Sequence, residues 1–312
     1  MKELTFVQAR KCLTTTILPI ALAFSAPAAI AQNAQSSKAE HAKRIGASER
    51  VNYSGKLRML SQRVVATSCN YAAGIDPEKS GPAMHAAMAE FELIVDALEF
   101  GNADLGINGE EKRKKTVRRI GMLRDEWSPM ASSLVAVEQG DTSIAQITQI
   151  AEVSAPLLDM AKLLVSDLSA QYSDPNAMLQ SFAMLVDISG RQRMLTQRMS
   201  KNICLVASGV NVDTAKAELA ATANLFETSL YALSRGMTEA GIAPPPNADI
   251  ADGLEVVIDD WEQLKPFVTA ILNGADLNAG ERAAVFNGMN HMTGDMNKVV
   301  GKYSEASKFE GS

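Results

Sequence analysis

The sequence predicts an all-α protein, two tandem four-helix bundles related by internal duplication and paired about a pseudo-two-fold axis as a pseudo-dimer. Three observations carry that prediction. First, residues 189–209 (SGRQRMLTQRMSKNICLVASG) repeat residues 54–74 (SGKLRMLSQRVVATSCNYAAG), with ten of twenty-one positions identical, including both arginines, the Gln, the Cys and the last Gly. Second, the register persists along the chain. Phe91, Glu92, Ala97, Leu98 and Gly101 return as Phe226, Glu227, Ala232, Leu233 and Gly236, the only two tryptophans are Trp127 and Trp261, and Asp159-Met160 and Lys162 return as Asp295-Met296 and Lys298. A repeat this long sets the architecture before any local propensity is weighed. Third, aromatics are only 5% while Ala, Leu, Met and Val are plentiful, a bias toward helix over sheet. No segment alternates as a half-buried strand does.

The elements follow in chain order. Residues 1–31 read as a cleaved secretory signal: Lys2, Arg10 and Lys11 precede the apolar run ILPIALAFSAPAAIA, which ends in the small-x-small sequence Ala29-Ile30-Ala31. The run is too short and too Pro-interrupted to read as a membrane span. The first repeat, 32–174, is expected to hold helices at roughly 40–73, 81–103, 109–138 and 142–172, with breakers at 74–82, 101–109 and 139–142. The second, 175–312, is expected to hold helices at roughly 176–208, 212–239, 247–272 and 277–307. Pro129, Pro156 and Pro266 fall inside helical patterns and should kink them or end a turn.

Charged residues are 21% and hydrophobic ones 46%, the balance of an ordinary globular protein. The formal net charge is −6, and loss of the basic leader makes the mature chain more acidic still. An acidic chain lacks the basic face that phosphate neutralisation needs, so nucleic acid is excluded as a partner. Cys12 leaves with the leader. Cys69 and Cys204 remain, at matched repeat positions of an exported protein, which admits either a disulfide or two buried free thiols.

At about 100° per residue the repeated helix presents two stripes. Tyr53, Leu57, Leu60, Val64 and Tyr71 form an apolar stripe in the first copy, and Ile188, Leu195, Met199 and Val206 form one in the second. The other stripe runs through Gly55, Arg58, Gln62, Val65 and Cys69, and through Gly190, Arg193, Gln197, Ser200 and Cys204. Small residues there admit a close neighbour, and the Arg and Gln need polar partners. A lone Arg of this kind is ordinarily a surface residue whose stem covers apolar neighbours. Its repetition within a largely diverged duplicate argues for more.

SGKLRMLSQR and SGRQRMLTQR resemble the signature of the PilJ/NarX-type sensor domain, the extracytoplasmic helical domain of type IV pilus chemotaxis transducers and of nitrate/nitrite sensor kinases. The resemblance implies two four-helix copies covering most of 40–307. It also implies parallel pairing of the two first helices, with an anion held by the Arg three residues after the Gly. Matched residue by residue, the ligand-binding candidates are Gly55 with Arg58 and Gly190 with Arg193. Gln62 and Gln197, one turn on, bring the chain closer to the pilus-transducer branch. The chain departs from the family in having no membrane helix beside the bundles and no kinase, HAMP or methyl-accepting segment. The duplication suggests that the sensor dimer has been made within one chain, with Arg58 facing Arg193; a homodimer is the other arrangement.

Other candidates carry less. The basic segment EEKRKKTVRR (110–119) is expected to be a solvated helix face, as are the carboxylates beside the tryptophans. Met289, His291, Met292 and Met296 contain copper-ligand chemistry, but the methionines follow core spacing. His41, His85 and His291 are scattered, and no zinc spacing, nucleophile triad or phosphate loop occurs. No metal, cofactor or catalytic residue is expected. The chain therefore reads as a non-enzymatic periplasmic sensor of a small anion such as nitrate or nitrite, signalling through a separate membrane receptor. The alternative is a cell-envelope interaction module near pilus or chemotaxis machinery, without a small ligand.

Overall fold

A computed structural model describes residues 46–172 and 180–309; the expected leader (1–31) and the junction at 174/175 lie outside them. Among the described residues there are eight α-helices and no strand. They are α1 (Ala47–Ala72), α2 (Pro77–Phe100), α3 (Lys114–Glu138), α4 (Ile144–Tyr172), α5 (Gln180–Ala207), α6 (Val212–Arg235), α7 (Ala248–Leu272) and α8 (Ala279–Phe309). The fold is all-α. Within the first copy α1 packs on α2 and α4, and α3 on α4; α5 to α8 repeat that pattern. α1 packs along α5 as extensively as along α4 of its own copy, and all described residues belong to one compact unit.

The duplication is visible down to single backbone bonds. α1 ends with Gly74 N–H donating to Tyr71 O and Ile75 N–H to Asn70 O; α5 ends with Gly209 N–H to Val206 O and Val210 N–H to Leu205 O. Each glycine is left-handed and each following apolar residue is buried, the form of a glycine-terminated helix. The residues just before the next helices, Asp76 (φ 44°) and Asn211 (φ 48°), are of the types that best tolerate that conformation. The loops after α2 and α6 repeat too: a 3₁₀ turn (Ala103–Leu105, Thr238–Ala240) closed by an isolated bridge, Asn102 to Ile107 and Met237 to Ile242.

Several boundaries differ from expectation for identifiable reasons. α2 begins at Pro77 and not near 81, because proline at a helix start loses no bond. α3 begins at Lys114 and not at 109, because Glu111 is drawn inward and accepts a hydrogen bond from Arg113 N–H. Pro129, Pro156 and Pro266 lie inside α3, α4 and α7, which continue past them; none of them ends its helix.

Each copy has its own apolar centre. Leu57, Leu60 and Val64 are fully buried in the first and Met199 in the second, with Leu195 at 2% exposure. Phe91 stacks on Trp127 at 4.1 Å between centroids, and Phe226 meets Trp261 edge-on at 5.1 Å. Met289, Met292 and Met296 are fully buried in the second core, as their spacing required. The basic segment is only partly a solvated face. Lys115 and Arg119 clamp Asp167 of α4, and Glu111 is buried.

Gly46 fixes how α1 starts. It is left-handed (φ 68°), and a Cβ there would meet Gly106 O at 1.9 Å. Gly46→Ala should therefore cost at least about 2 kcal/mol, from left-handed strain plus displacement of the 101–109 loop. The midpoint of a urea melt measures it; an unchanged midpoint would mean that this loop is not held against α1.

Candidate functional site

The second stripe of α1 and that of α5 meet face to face, so both helices are buried on two sides. Gly55, Arg58, Gln62, Val65 and Cys69 are all buried, as are Gly190, Arg193, Gln197, Ser200 and Cys204. Cys69 and Cys204 form a disulfide linking the two helices, with Cα atoms 6.1 Å apart. Arg58, eleven residues earlier on α1, reaches Asp187, six residues before its matching position on α5. The two contacts together make α1 and α5 parallel, in register, and joined within one chain.

Arg58 is 8% exposed and Arg193 4%. Their surroundings are not symmetric. Arg58 Nη1 donates to Asp187 Oδ1 across the interface at 3.1 Å, and the same carboxylate also pairs with Arg191. Arg193 Nη1 donates to Asn297 Oδ1 of α8 at 2.6 Å. Among the described residues no carboxylate lies within ion-pair distance of Arg193. Both Nε atoms make long contacts, 3.5 Å, to the carbonyls of Gly55 and Gly190. For neither Nη2 is there a hydrogen-bond acceptor among the described residues.

Those two Nη2 groups converge. A methyl group on Gly190 would have Nη2 of Arg193 and Nη2 of Arg58 as its nearest neighbours, each at 3.7 Å; one on Gly55 would meet only Arg58 Nη2, at 3.6 Å. The glycines therefore face guanidinium groups and not a partner backbone, which differs from the close helix approach expected of them. Burial, and next the neighbouring Arg58 guanidinium, push the pKa of Arg193 down to about 10. Arg58 is lowered as well, by burial, against the opposing pull of Asp187. A guanidinium stays protonated at any working pH. The lowered Arg193 value thus reflects the cost of holding its charge away from water beside a second guanidinium, against a weaker opposing pull from Glu90.

Gln62 and Gln197 turn toward their own bundles. Gln62 Nε2 donates to Ser61 and Ser154 Oγ, both at 3.2 Å, and Gln197 Nε2 donates to Thr293 Oγ1 at 2.8 Å and Asn290 Oδ1 at 3.3 Å. Their buried Oε1 atoms accept no hydrogen bond. Asp187 and Asn297, the direct partners of the arginines, escaped the sequence reading. Their repeat counterparts are Asn52 and Ala161, so duplication gave no signal for either.

The comparison with known families comes to the same helix. The family described as type IV pili methyl-accepting chemotaxis transducer N-terminal domain, PilJ, matches residues 41–153 and again 176–285. The matches span well over half of the chain, which belongs to the PilJ family in two tandem copies. It is accordingly a sensory, signalling type of domain, associated with chemotaxis transducers. No curated protein matches the chain. No helix among the described residues is long and apolar enough to cross a membrane.

Proposed function

We propose that this PilJ-family chain is a non-enzymatic periplasmic sensor that binds a small anion between α1 and α5 and reports it to a separate membrane receptor. One observation carries the reading: two buried guanidinium groups direct unbonded Nη2 donors at the same point beside Gly190, and one of them has no carboxylate of its own. Bringing like charges together away from water is unfavourable unless an anion lies between them. Planar oxyanions such as nitrate and nitrite suit two guanidinium forks, since each fork offers coplanar N–H donors. The duplication supplies both forks from one chain, so no dimerisation is required. The secretory leader expected at 1–31 and the PilJ membership support an extracytoplasmic location.

The test is calorimetry with nitrate, nitrite, sulfate and acetate. Wild type is expected to bind one anion per chain and to melt at higher temperature as that anion is added, by the usual linkage. Arg193→Gln keeps a hydrogen-bonding group near Asn297 and removes the buried charge. It is expected to melt no lower than anion-free wild type and to lose the anion response. Gly190→Ala should fold well, since its neighbours sit at ordinary contact distance and alanine is the better helix former by about 1 kcal/mol. Its methyl fills the space between the Nη2 groups, so binding should fall at least tenfold. An unaltered response in both variants would remove the site.

A second reading has one observation in its favour. Asp187 already gives Arg58 a carboxylate, so the protein supplies part of the counter-charge itself. On that reading the chain is an envelope interaction module without a small ligand. Wild type showing no heat and no thermal shift with any of the four anions favours it.

A further inference from the structure

We propose that Asp260, His291 and Asp295 form a binding site for one divalent first-row transition-metal ion, of which Zn²⁺ is the test case. Asp260 lies on α7, and His291 and Asp295 lie four residues apart on α8, so the helices present the three side chains to one another. The ligand atoms all fall within 4.8 Å of one another. His291 Nδ1 is 3.3 Å from Asp260 Oδ2 and 3.0 Å from Asp295 Oδ2. Metal–nitrogen and metal–oxygen bonds of about 2.0–2.2 Å, at tetrahedral or octahedral angles, place neighbouring ligand atoms about 3.0–3.5 Å apart. The imidazole nitrogen already stands at that separation from each of the two carboxylate oxygens.

A second observation points into the same space. Asp295 is only 8% exposed, and its Oδ2 is shut off from solvent and accepts no hydrogen bond. Lys298 Nζ holds the other oxygen, Oδ1, at 2.7 Å, which leaves Oδ2 turned to the cluster. Its close polar neighbour is His291 Nδ1, at 3.0 Å. A buried carboxylate oxygen that accepts no hydrogen bond is costly, and a cation shared with Asp260 and His291 removes that cost. Lys298 would then act on the ligand from behind, orienting it as outer partners of metal ligands do. One imidazole with two carboxylates suits zinc, manganese, cobalt or nickel, whereas calcium and magnesium favour all-oxygen sets and copper(I) favours sulfur. The nearby thioethers of Met289, Met292 and Met296 are fully buried in the core and do not join the cluster.

The first copy serves as an internal control. Its Asp159 and Lys162 keep the carboxylate–lysine pair at 2.9 Å, but the Asp159 side chain is 70% exposed. Ala155 stands at the His291 position and Glu126 at that of Asp260. One ion per chain is therefore expected, not two. His291 and Asp295 also fall beyond the second PilJ match, which ends at 285. Asn290, Thr293 and Asn297 of this same α8 hold Gln197 and Arg193. An ion clipping α8 to α7 would fix the helix that carries the Arg193 partner.

The experiment is calorimetric titration of ZnCl₂ into the tag-free chain after chelator treatment. One equivalent should bind to wild type, and His291→Ala and Asp260→Asn should each weaken binding at least tenfold. Asp159→Asn should leave it unchanged. The His291 side chain is 68% exposed, so its removal leaves the fold intact, which circular dichroism checks. Zinc binding of equal strength in wild type and His291→Ala would overturn the site, as would a wild type that takes up no zinc. The remaining arrangement, a protonated His291 bridging two carboxylates, predicts the latter outcome.

Discussion

Cys69→Ser is expected to lower the stability of the oxidised protein by about 4–5 kcal/mol, the largest loss of any single substitution considered. The bond joins residues 135 apart. In the chain-entropy description, a crosslink closing a loop of that length removes nearly 5 kcal/mol of freedom from the unfolded chain. For a protein of this size that is a fall in melting temperature of about 10–20 °C. Cys204→Ser and wild type in reductant should fall to the same value, because all three remove the same closure. The loss should not depend on protein concentration, since the bond lies within one chain. The native state should survive at room temperature, because α1 and α5 still pack along each other and Val65 and Ser200 on their facing stripes stay buried. Urea melts with and without dithiothreitol measure it. A Cys69→Ser midpoint equal to that of oxidised wild type would show that the disulfide does not constrain the chain. Covalent dimers on a non-reducing gel would show that the cysteines pair between chains.

Much of this architecture was legible because duplication is a signal that divergence does not erase at every position at once. Paired glycines, tryptophans and cysteines fixed the number of bundles, the turns after α1 and α5, and the matched positions of Cys69 and Cys204. Less was legible wherever the two copies differ. Asp187 and Asn297 are unmatched in the other copy and act between helices distant in sequence, so neither repetition nor periodicity marks them. Asp260 and His291 read in the sequence only as a solvated carboxylate and a neighbour of core methionines, because the sequence does not show that they meet. Local composition misled at 110–119. Three of its charges are tied down by long-range partners, Glu111 by Arg50, Gln171 and Tyr172, and Lys115 and Arg119 by Asp167. A charged segment looks solvated when read alone, because the group that buries it lies elsewhere in the chain.

The same asymmetry separates the copies by chemistry. The first has a fully polar lock at one end and a fully partnered tryptophan, Trp127 Nε1 donating to Glu92 at 3.2 Å. In the second, Glu227, the counterpart of Glu92, is taken by Lys265, and Trp261 Nε1 is buried without a partner. Tyr303 OH and both amide atoms of Asn202 are buried and unpartnered there too. Such groups weaken a core. Among the described residues, buried polar atoms without partners are thus more numerous in the second bundle, which also contributes Arg193, Asn297 and the Asp260–His291–Asp295 cluster.

Arg50→Leu is expected to destabilise the first bundle by about 3–5 kcal/mol, the range for removing one partner of a buried charged pair. Arg50 is 1% exposed at the start of α1. Its Nη1 donates to Leu98 O at the end of α2 at 2.9 Å, and its Nη2 donates to Gly109 O in the following loop. Nη1 lies 3.9 Å from Glu111 Oε2, and the Tyr172 ring stands 5.7 Å from the guanidinium carbon. Glu111 is in turn held by Gln171 Nε2 at 3.0 Å and by Tyr172 OH at 2.6 Å. Burial, with the adjoining Glu111 carboxylate second, raises the Tyr172 pKa well above the ordinary phenol value, so the hydroxyl remains a donor throughout the working pH range. One guanidinium thus ties together the start of α1, the end of α2, the approach to α3 and the end of α4. Leucine matches its apolar stem but leaves two carbonyls and a carboxylate without their cation. The second copy closes the same end with Leu185 where the first has Arg50, and with Pro245-Pro246 near the Glu111 position. Apolar closure is therefore a workable solution when the carboxylate is absent. The double substitution Arg50→Leu with Glu111→Leu should accordingly recover part of the loss, because it removes both charges together. Urea melts of the two variants decide it. If the double variant is destabilised by the sum of the two single losses, Arg50 and Glu111 act independently and the lock is not a coupled unit.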